Sequence, residues 1–203
     1  VLITGNMPSM TPGHPLMAAS EVIFYIAGGW FAWRGLHNTA RRPFRKLTAG
    51  DVRAILIGVG ALLFLRIATG IVLVLTNQTN HVQAGFEHFD VTSKVPGITN
   101  LSVILAVLSL IVVAPLIEEI VFRGLLFGAL ASRLGVVGSA LITALLFGAI
   151  HGDPVLFPSL AALGFIAAIA YAATGNLWVA IILHALNNSL GAIFLIAPSL
   201  TKH

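Results

Sequence analysis

The chain has 203 residues, of which 58% are hydrophobic and only 9% charged, and its mean hydropathy is +0.98. Soluble domains carry about 25% charged residues, so this composition excludes an ordinary soluble domain and indicates a polytopic membrane protein. The absence of cysteine excludes disulfides and thiolate metal sites. The net charge of +4 comes largely from one basic loop, so no nucleic-acid partner is expected.

Apolar runs of about 20 residues, long enough to cross a bilayer as helices, recur along the chain. They predict an all-α transmembrane bundle of about six spans. No Lys or Arg precedes the first run, which is therefore not expected to be a cleaved signal peptide. The approximate runs are 17–34, 54–76, 101–132, 136–151, 158–174 and 177–197.

The loop between the first two runs, residues 34–53, predicts the orientation of the protein. Cytoplasmic loops are rich in Lys and Arg, so this loop is expected in the cytoplasm of a prokaryotic plasma-membrane protein, and 77–100 outside. A short turn at Arg133 returns the chain to the cytoplasmic side. The basic residues of the loop are Arg34, Arg41, Arg42, Arg45, Lys46 and Arg53.

The third run contains the stretch APLIEEIVFRG, which places two carboxylates and an arginine in an apolar segment. Charges inside a bilayer are costly unless they pair or function. Glu119 and Arg123 are four residues apart, so they share a helix face and can form an ion pair. Glu118 points about 100° away from that face. The motif can therefore supply a general base and a structural anion, or only an ion pair that joins two helices.

Two histidines interrupt the later runs. Phe147 and His151 are one helical turn apart, which lets the phenyl ring fix the imidazole rotamer; His151 could also be a helix-end residue that meets water. His184 and Asn188 are likewise one turn apart and can donate hydrogen bonds to one point, or can serve as interhelical polar contacts. Arg66 interrupts the second run, and no role is assigned to it.

These three motifs, EE-x-x-x-R, F-x-x-x-H and H-x-x-x-N in this order, resemble the signature of the CPBP (Abi) family of intramembrane proteases. That family includes type II CAAX prenyl endopeptidases. The resemblance covers about residues 100 to 195. It implies a four-segment protease core in 101–203. The two spans in 1–100 are predicted by the apolar runs and have no counterpart in the resemblance.

The resemblance implies hydrolysis of a peptide bond in a membrane-associated or prenylated CAAX-type substrate. Glu118 and His151 would bind and deprotonate a water, and His184 and Asn188 would stabilise the oxyanion. Glu119, Arg123 and Phe147 would support them. No cofactor is predicted, although a zinc metalloprotease with Glu118, His151 and His184 as ligands stays open.

Two other functions remain compatible with the sequence. Buried Glu, His and Arg are typical of ion-coupled transporters, but the inverted repeats of that class are absent. A non-catalytic scaffold or immunity protein would keep the same fold. One geometric conflict also remains: Glu118 lies ~22 Å along its helix from Arg133, but His184 lies only ~10 Å from the start of its run.

Overall fold

The structure is a computed structural model that describes Trp30, Arg34 and residues 43–77 and 107–200. All regular elements in these ranges are helical. The predicted span 17–34 and the predicted external loop 77–100 fall almost wholly outside them. The elements are α1 (Ala49–Leu75), π1 (Ser109–Val113), α2 (Ala114–Glu119), π2 (Ile120–Phe127), α3 (Gly128–Ile150), α4 (Phe157–Thr174) and α5 (Leu177–Leu200).

Helix α1 begins at a capping box. The Thr48 hydroxyl accepts from the Asp51 amide, and the Asp51 carboxylate accepts from the Thr48 amide at 2.8 Å, which satisfies two otherwise unpaired donors. Arg45 donates to both carboxylate oxygens of Asp51, at 2.7 and 2.9 Å, and to the carbonyl of Thr174. The start of α1 is therefore tied to the end of α4.

The glutamate motif lies in a helix that is wound unevenly. Pro115 has no N–H to donate one turn back, and the turn just before it is π-wound, with the Ala114 amide bonded to the carbonyl of Ser109. A second π-wound stretch begins at Ile120, directly after the two glutamates. Such stretches are rare and occur often at functional sites. Here they set the direction of Glu118 and Glu119 relative to the helices on either side.

The predicted turn at Arg133 lies two residues further along, at Gly135. Its φ of 67° and ψ of 179° belong to a region that is open essentially only to glycine. The helix after this break packs against α4 and π2. The residues at the turn, among them Leu134 and Val137, are exposed.

The sequence placed Glu118 and His184 at different heights along their helices, and the height at which α5 begins resolves this conflict. Leu177, its first residue, is buried in one cluster with Phe127 and Tyr171. Leu177 and Phe127 thus belong to one buried cluster, whereas Arg133 is exposed. Phe127 is eight residues beyond Glu119 and Leu177 is seven before His184, so the two side chains reach the same height.

Within the described residues, two helices are long and apolar enough to cross a membrane, Ala49–Leu75 and Phe157–Thr174, and Leu177–Ala192 is a shorter apolar stretch. Large apolar side chains on the outer face of α1, such as Leu56, Phe64 and Leu75, are exposed, which suits contact with lipid. An all-α fold with membrane-spanning character is thus consistent with the described ranges. The number of six spans and the division at residue 100 stay predictions.

Candidate active site

A buried network of charges occupies the centre of the helical bundle. Glu119 and Arg123 are both fully buried, and Arg123 Nη1 donates to Glu119 Oε1 at 2.9 Å, which is the ion pair predicted from their spacing. Arg123 Nη2 donates to the carbonyl of Gly164 on α4 at 2.7 Å. The arginine thereby links π2 to α4 and holds the carboxylate of Glu119 in place.

The same carboxylate orients His184 on α5. His184 Nδ1 lies 2.9 Å from Glu119 Oε1. Because an ionised carboxylate only accepts hydrogen bonds, this contact assigns the proton to Nδ1. The other ring nitrogen, Nε2, is left facing Glu118, whose Oε2 lies 3.9 Å away. Glu119 thus contacts both Arg123 and His184, and His184 presents Nε2 to the second glutamate.

Glu118 is placed differently from Glu119. Its side chain is 15% exposed whereas that of Glu119 is fully buried. It lies within electrostatic range of both His184 and His151. The two adjacent carboxylates therefore differ in partners and in access, which is the separation expected of one structural and one reactive acid.

Phe147 brings the two histidines to one place. Its ring centroid is 4.8 Å from that of His151 and 5.4 Å from that of His184. The distance between the two imidazole centroids is therefore at most the sum of these two distances. His151 Nδ1 lies 2.7 Å from the carbonyl of Phe147. That carbonyl fixes the proton on Nδ1 and leaves Nε2 of the exposed His151 ring as a proton acceptor.

Asn188 lies one helical turn after His184, and its side chain already makes one hydrogen bond to another element. Its Nδ2 donates to the carbonyl of Leu110 in π1 at 3.0 Å. A carboxamide has two N–H donors, so one remains for a ligand. The predicted convergence of Asn188 with His184 on a single acceptor therefore depends on this second hydrogen.

Several contacts could not be expected from the sequence motifs. The carbonyl of Gly164 accepts a second hydrogen bond from Arg123, and a Cβ at this glycine would lie 3.2 Å from Arg123 Nη2 and 3.1 Å from the Ala144 Cα. Phe122 packs edge-on against Phe147 at 5.3 Å. A glycine in mid-helix is the one sequence signal for such a close approach.

The described side chains are not grouped in the way that a catalytic zinc site requires. Zinc in such a site takes three protein ligands, and the described part of the chain has no group of three or more His, Cys, Asp or Glu side chains that could hold a metal ion.

Comparison with known proteins places this site in a family. Residues 100–190 match the family of Rce1-like type II CAAX prenyl endopeptidases. All seven residues of the three motifs lie inside this match, so the CPBP resemblance is confirmed.

The Rce1-like region also has curated relatives in bacteria. The chain is 36% identical over 87 residues to YdiL of Bacillus subtilis (strain 168), named as a membrane peptidase, which covers 43% of this chain and 36% of YdiL. It is 33% identical over 98 residues to the membrane-embedded CAAX protease MroQ of Staphylococcus aureus (strain USA300), covering 45% and 40%. The chain thus spans less than half of these relatives. No solved structure gives a significant match.

Proposed function

We propose that the chain is an intramembrane endopeptidase that hydrolyses a peptide bond with a water activated by Glu118 and His151. The observation that carries the proposal is the arrangement of two adjacent glutamates around His184. Glu119 holds one ring nitrogen at 2.9 Å and Glu118 faces the other at 3.9 Å. Two carboxylates in such different surroundings can divide the roles of structural anion and general base.

In the proposed reaction, each proton that moves has a donor and an acceptor among the water, the substrate and these residues. Glu118 takes a proton from the water while Nε2 of His151 accepts a hydrogen bond from it. The hydroxide attacks the scissile carbonyl carbon, and the C–N bond then breaks as protonated Glu118 returns its proton to the leaving nitrogen. No step passes through a metal.

The oxyanion needs donors, and His184 and Asn188 are the candidates. Since Nδ1 of His184 already donates to Glu119, Nε2 becomes a donor only when the ring carries both protons. Because Glu119 already pairs with Arg123, that imidazolium would lie between Glu119 and Glu118. Asn188 contributes the N–H that Leu110 does not use. Each oxyanion donor is typically worth about 10²–10³ in rate.

The substrate is proposed to be a membrane-associated peptide or protein, and prenylated CAAX-type tails are the first class to test. The relatives named as a peptidase and a CAAX protease support this choice. A transporter would need polar groups along a path across the membrane. Instead His151 and His184 both lie against Phe147, which favours a single reaction centre.

The first prediction tests the base. Glu118→Gln, in the full chain in proteoliposomes, should lower cleavage of a farnesylated CAAX peptide by about 10²–10⁴-fold with no change in thermal stability. The panel should include the unprenylated peptide and a membrane protein with a peptide leader, with products identified by mass spectrometry.

Asp153→Asn is the matched carboxylate-to-amide control. Asp153 Oδ1 accepts the amides of Val155 and Leu156, and an Asn oxygen can do the same, so this variant should stay active. A fully active Glu118→Gln protein would contradict the proposed mechanism. A folded wild type that cleaves none of the panel would favour the scaffold or immunity function.

A further inference from the structure

Arg66 is a second cation inside an apolar helix, and the proposed reaction does not use it. It follows buried Leu62 by one turn on α1, on the face that packs against α5. Two turns earlier on this face, Gly58 touches Leu183, and an added Cβ would come within 2.6 Å of it. Arg66 therefore lies between helices and not on the outer apolar face.

The hydrogen bonding of Arg66 is incomplete. Nη2 donates to the backbone carbonyl of Asn187 in α5, while Nε is buried with no acceptor among the described residues. The ion pairs of Arg45 with Asp51 and of Arg123 with Glu119 have no counterpart at Arg66 within the described ranges. A charged group at this depth is costly unless it meets an anion or lies on a substrate path.

The position of Arg66 relates it to the candidate active site. Asn187 precedes Asn188 and follows His184 by three residues, which is ~4.5 Å along the helix axis. Along the axis of α5, the guanidinium thus sits within about one turn of the proposed oxyanion donors, on a face about 100° from that of Asn188. A planar guanidinium binds a carboxylate through paired N–H donors.

We propose that Arg66 forms an anion-binding subsite of the substrate cleft and binds the C-terminal carboxylate of the peptide. This inference rests on the proposed function, since it assigns the ligand to the peptide that the enzyme cuts. Every peptide with a free C-terminus carries this anion. The subsite would favour cleavage close to the end of a chain over cleavage in the middle.

The test is a binding measurement that needs no turnover. Two dansylated trileucine probes, one with a free carboxylate and one with a C-terminal carboxamide, are titrated against the Glu118→Gln protein in nanodiscs of zwitterionic lipid. The carboxylate probe should bind about 10- to 100-fold more tightly, the range expected for a charge-assisted hydrogen bond. Adding Arg66→Gln should remove this preference, while adding Arg53→Gln, an exposed arginine on the same helix, should leave it.

Equal binding of the two probes, or a preference that survives Arg66→Gln, overturns the inference. Equal binding is the result expected if Glu21, Glu87 or Asp90, which lie outside the described ranges, neutralises Arg66. Loss of the preference when anionic lipid is added assigns Arg66 to lipid and also overturns it. If Arg66→Gln does not fold, Arg66→Lys keeps the charge without the paired donors, and an undiminished preference in that variant overturns the inference.

Failure of the proposed function gives a different pattern. If the wild type cuts no substrate but binds the carboxylate probe through Arg66, the subsite is supported and the proposed protease function is contradicted. If the wild type cuts carboxylate and carboxamide substrates with equal KM and binds both probes equally, the protease function is supported and the subsite is contradicted.

Discussion

At the scale of single residues, the site depends on two glutamates that are neighbours in sequence and unlike in surroundings. Glu119 is closed off by Arg123 and His184, whereas Glu118 keeps some exposure. The sequence predicted the Glu119–Arg123 pair because both side chains lie one turn apart on the same helix. It could not predict that His184, 65 residues away, shares the same oxygen, because that contact depends on tertiary packing.

The second prediction concerns Arg123. Arg123→Ala leaves the fully buried Glu119 without its cation and should lower stability by about 3–5 kcal/mol, the usual cost of breaking a buried pair. Thermal unfolding in detergent measures the loss. Arg133→Ala, at the exposed turn, is the control and should change stability by less than about 0.5 kcal/mol. Equal melting of the two variants would show that the buried pair contributes no stability.

The third prediction concerns metal dependence. The described donor set lacks three ligands for one ion, and a carboxylate with a histidine can activate water by general-base catalysis. Cleavage should therefore survive exhaustive treatment with a strong chelator. Elemental analysis of the purified protein provides the control. Zinc that is present in stoichiometric amount, and whose removal and return abolish and restore activity, would establish the metalloprotease mechanism instead.

At the scale of elements, the close packing of α3 on α4 positions Arg123. Gly164 lets α4 approach Ala144 of α3 and places its carbonyl 2.7 Å from Arg123 Nη2. The apolar runs predicted both helices, since their periods and lengths are local properties. The π-wound turns on either side of α2 were not predicted, because no residue pattern distinguishes them from an ordinary α-helix.

The fourth prediction tests this packing. Gly164→Ala adds a methyl group 3.1 Å from the Ala144 Cα and 3.2 Å from Arg123 Nη2, so a helix or the guanidinium must shift. The expected cost is about 1–3 kcal/mol of stability, together with a fall in cleavage rate. Gly128→Ala is the matched control, because nothing lies within 4 Å of its added Cβ. That variant should be neutral or more stable by about 0.4–1 kcal/mol.

At the scale of the whole molecule, the level of each helix determines whether the motifs meet. If the neighbouring helices began at the same height, Glu118 and His184 would lie at different levels. For this reason the sequence alone did not predict how the site comes together. Leu177 and Phe127 lie in one buried cluster, and His184 Nδ1 lies 2.9 Å from Glu119 Oε1, so α5 meets the glutamate helix at the level of the site. Helix offsets of this kind depend on the packing of large side chains, so they are not encoded in hydropathy.

The fifth prediction tests the orientation of the molecule in the membrane. Helix α1 has 27 residues, or ~40 Å at the helical rise, which exceeds a hydrocarbon core of about 30 Å. The basic residues before it should lie in the cytoplasm. The chain has no cysteine, so a membrane-impermeant maleimide reports only on introduced thiols. In intact cells it should label Thr76→Cys, and it should label Lys46→Cys and Ser132→Cys only after permeabilisation. Labelling of Lys46→Cys from outside would invert the assigned topology and would move the Arg133 turn to the external face.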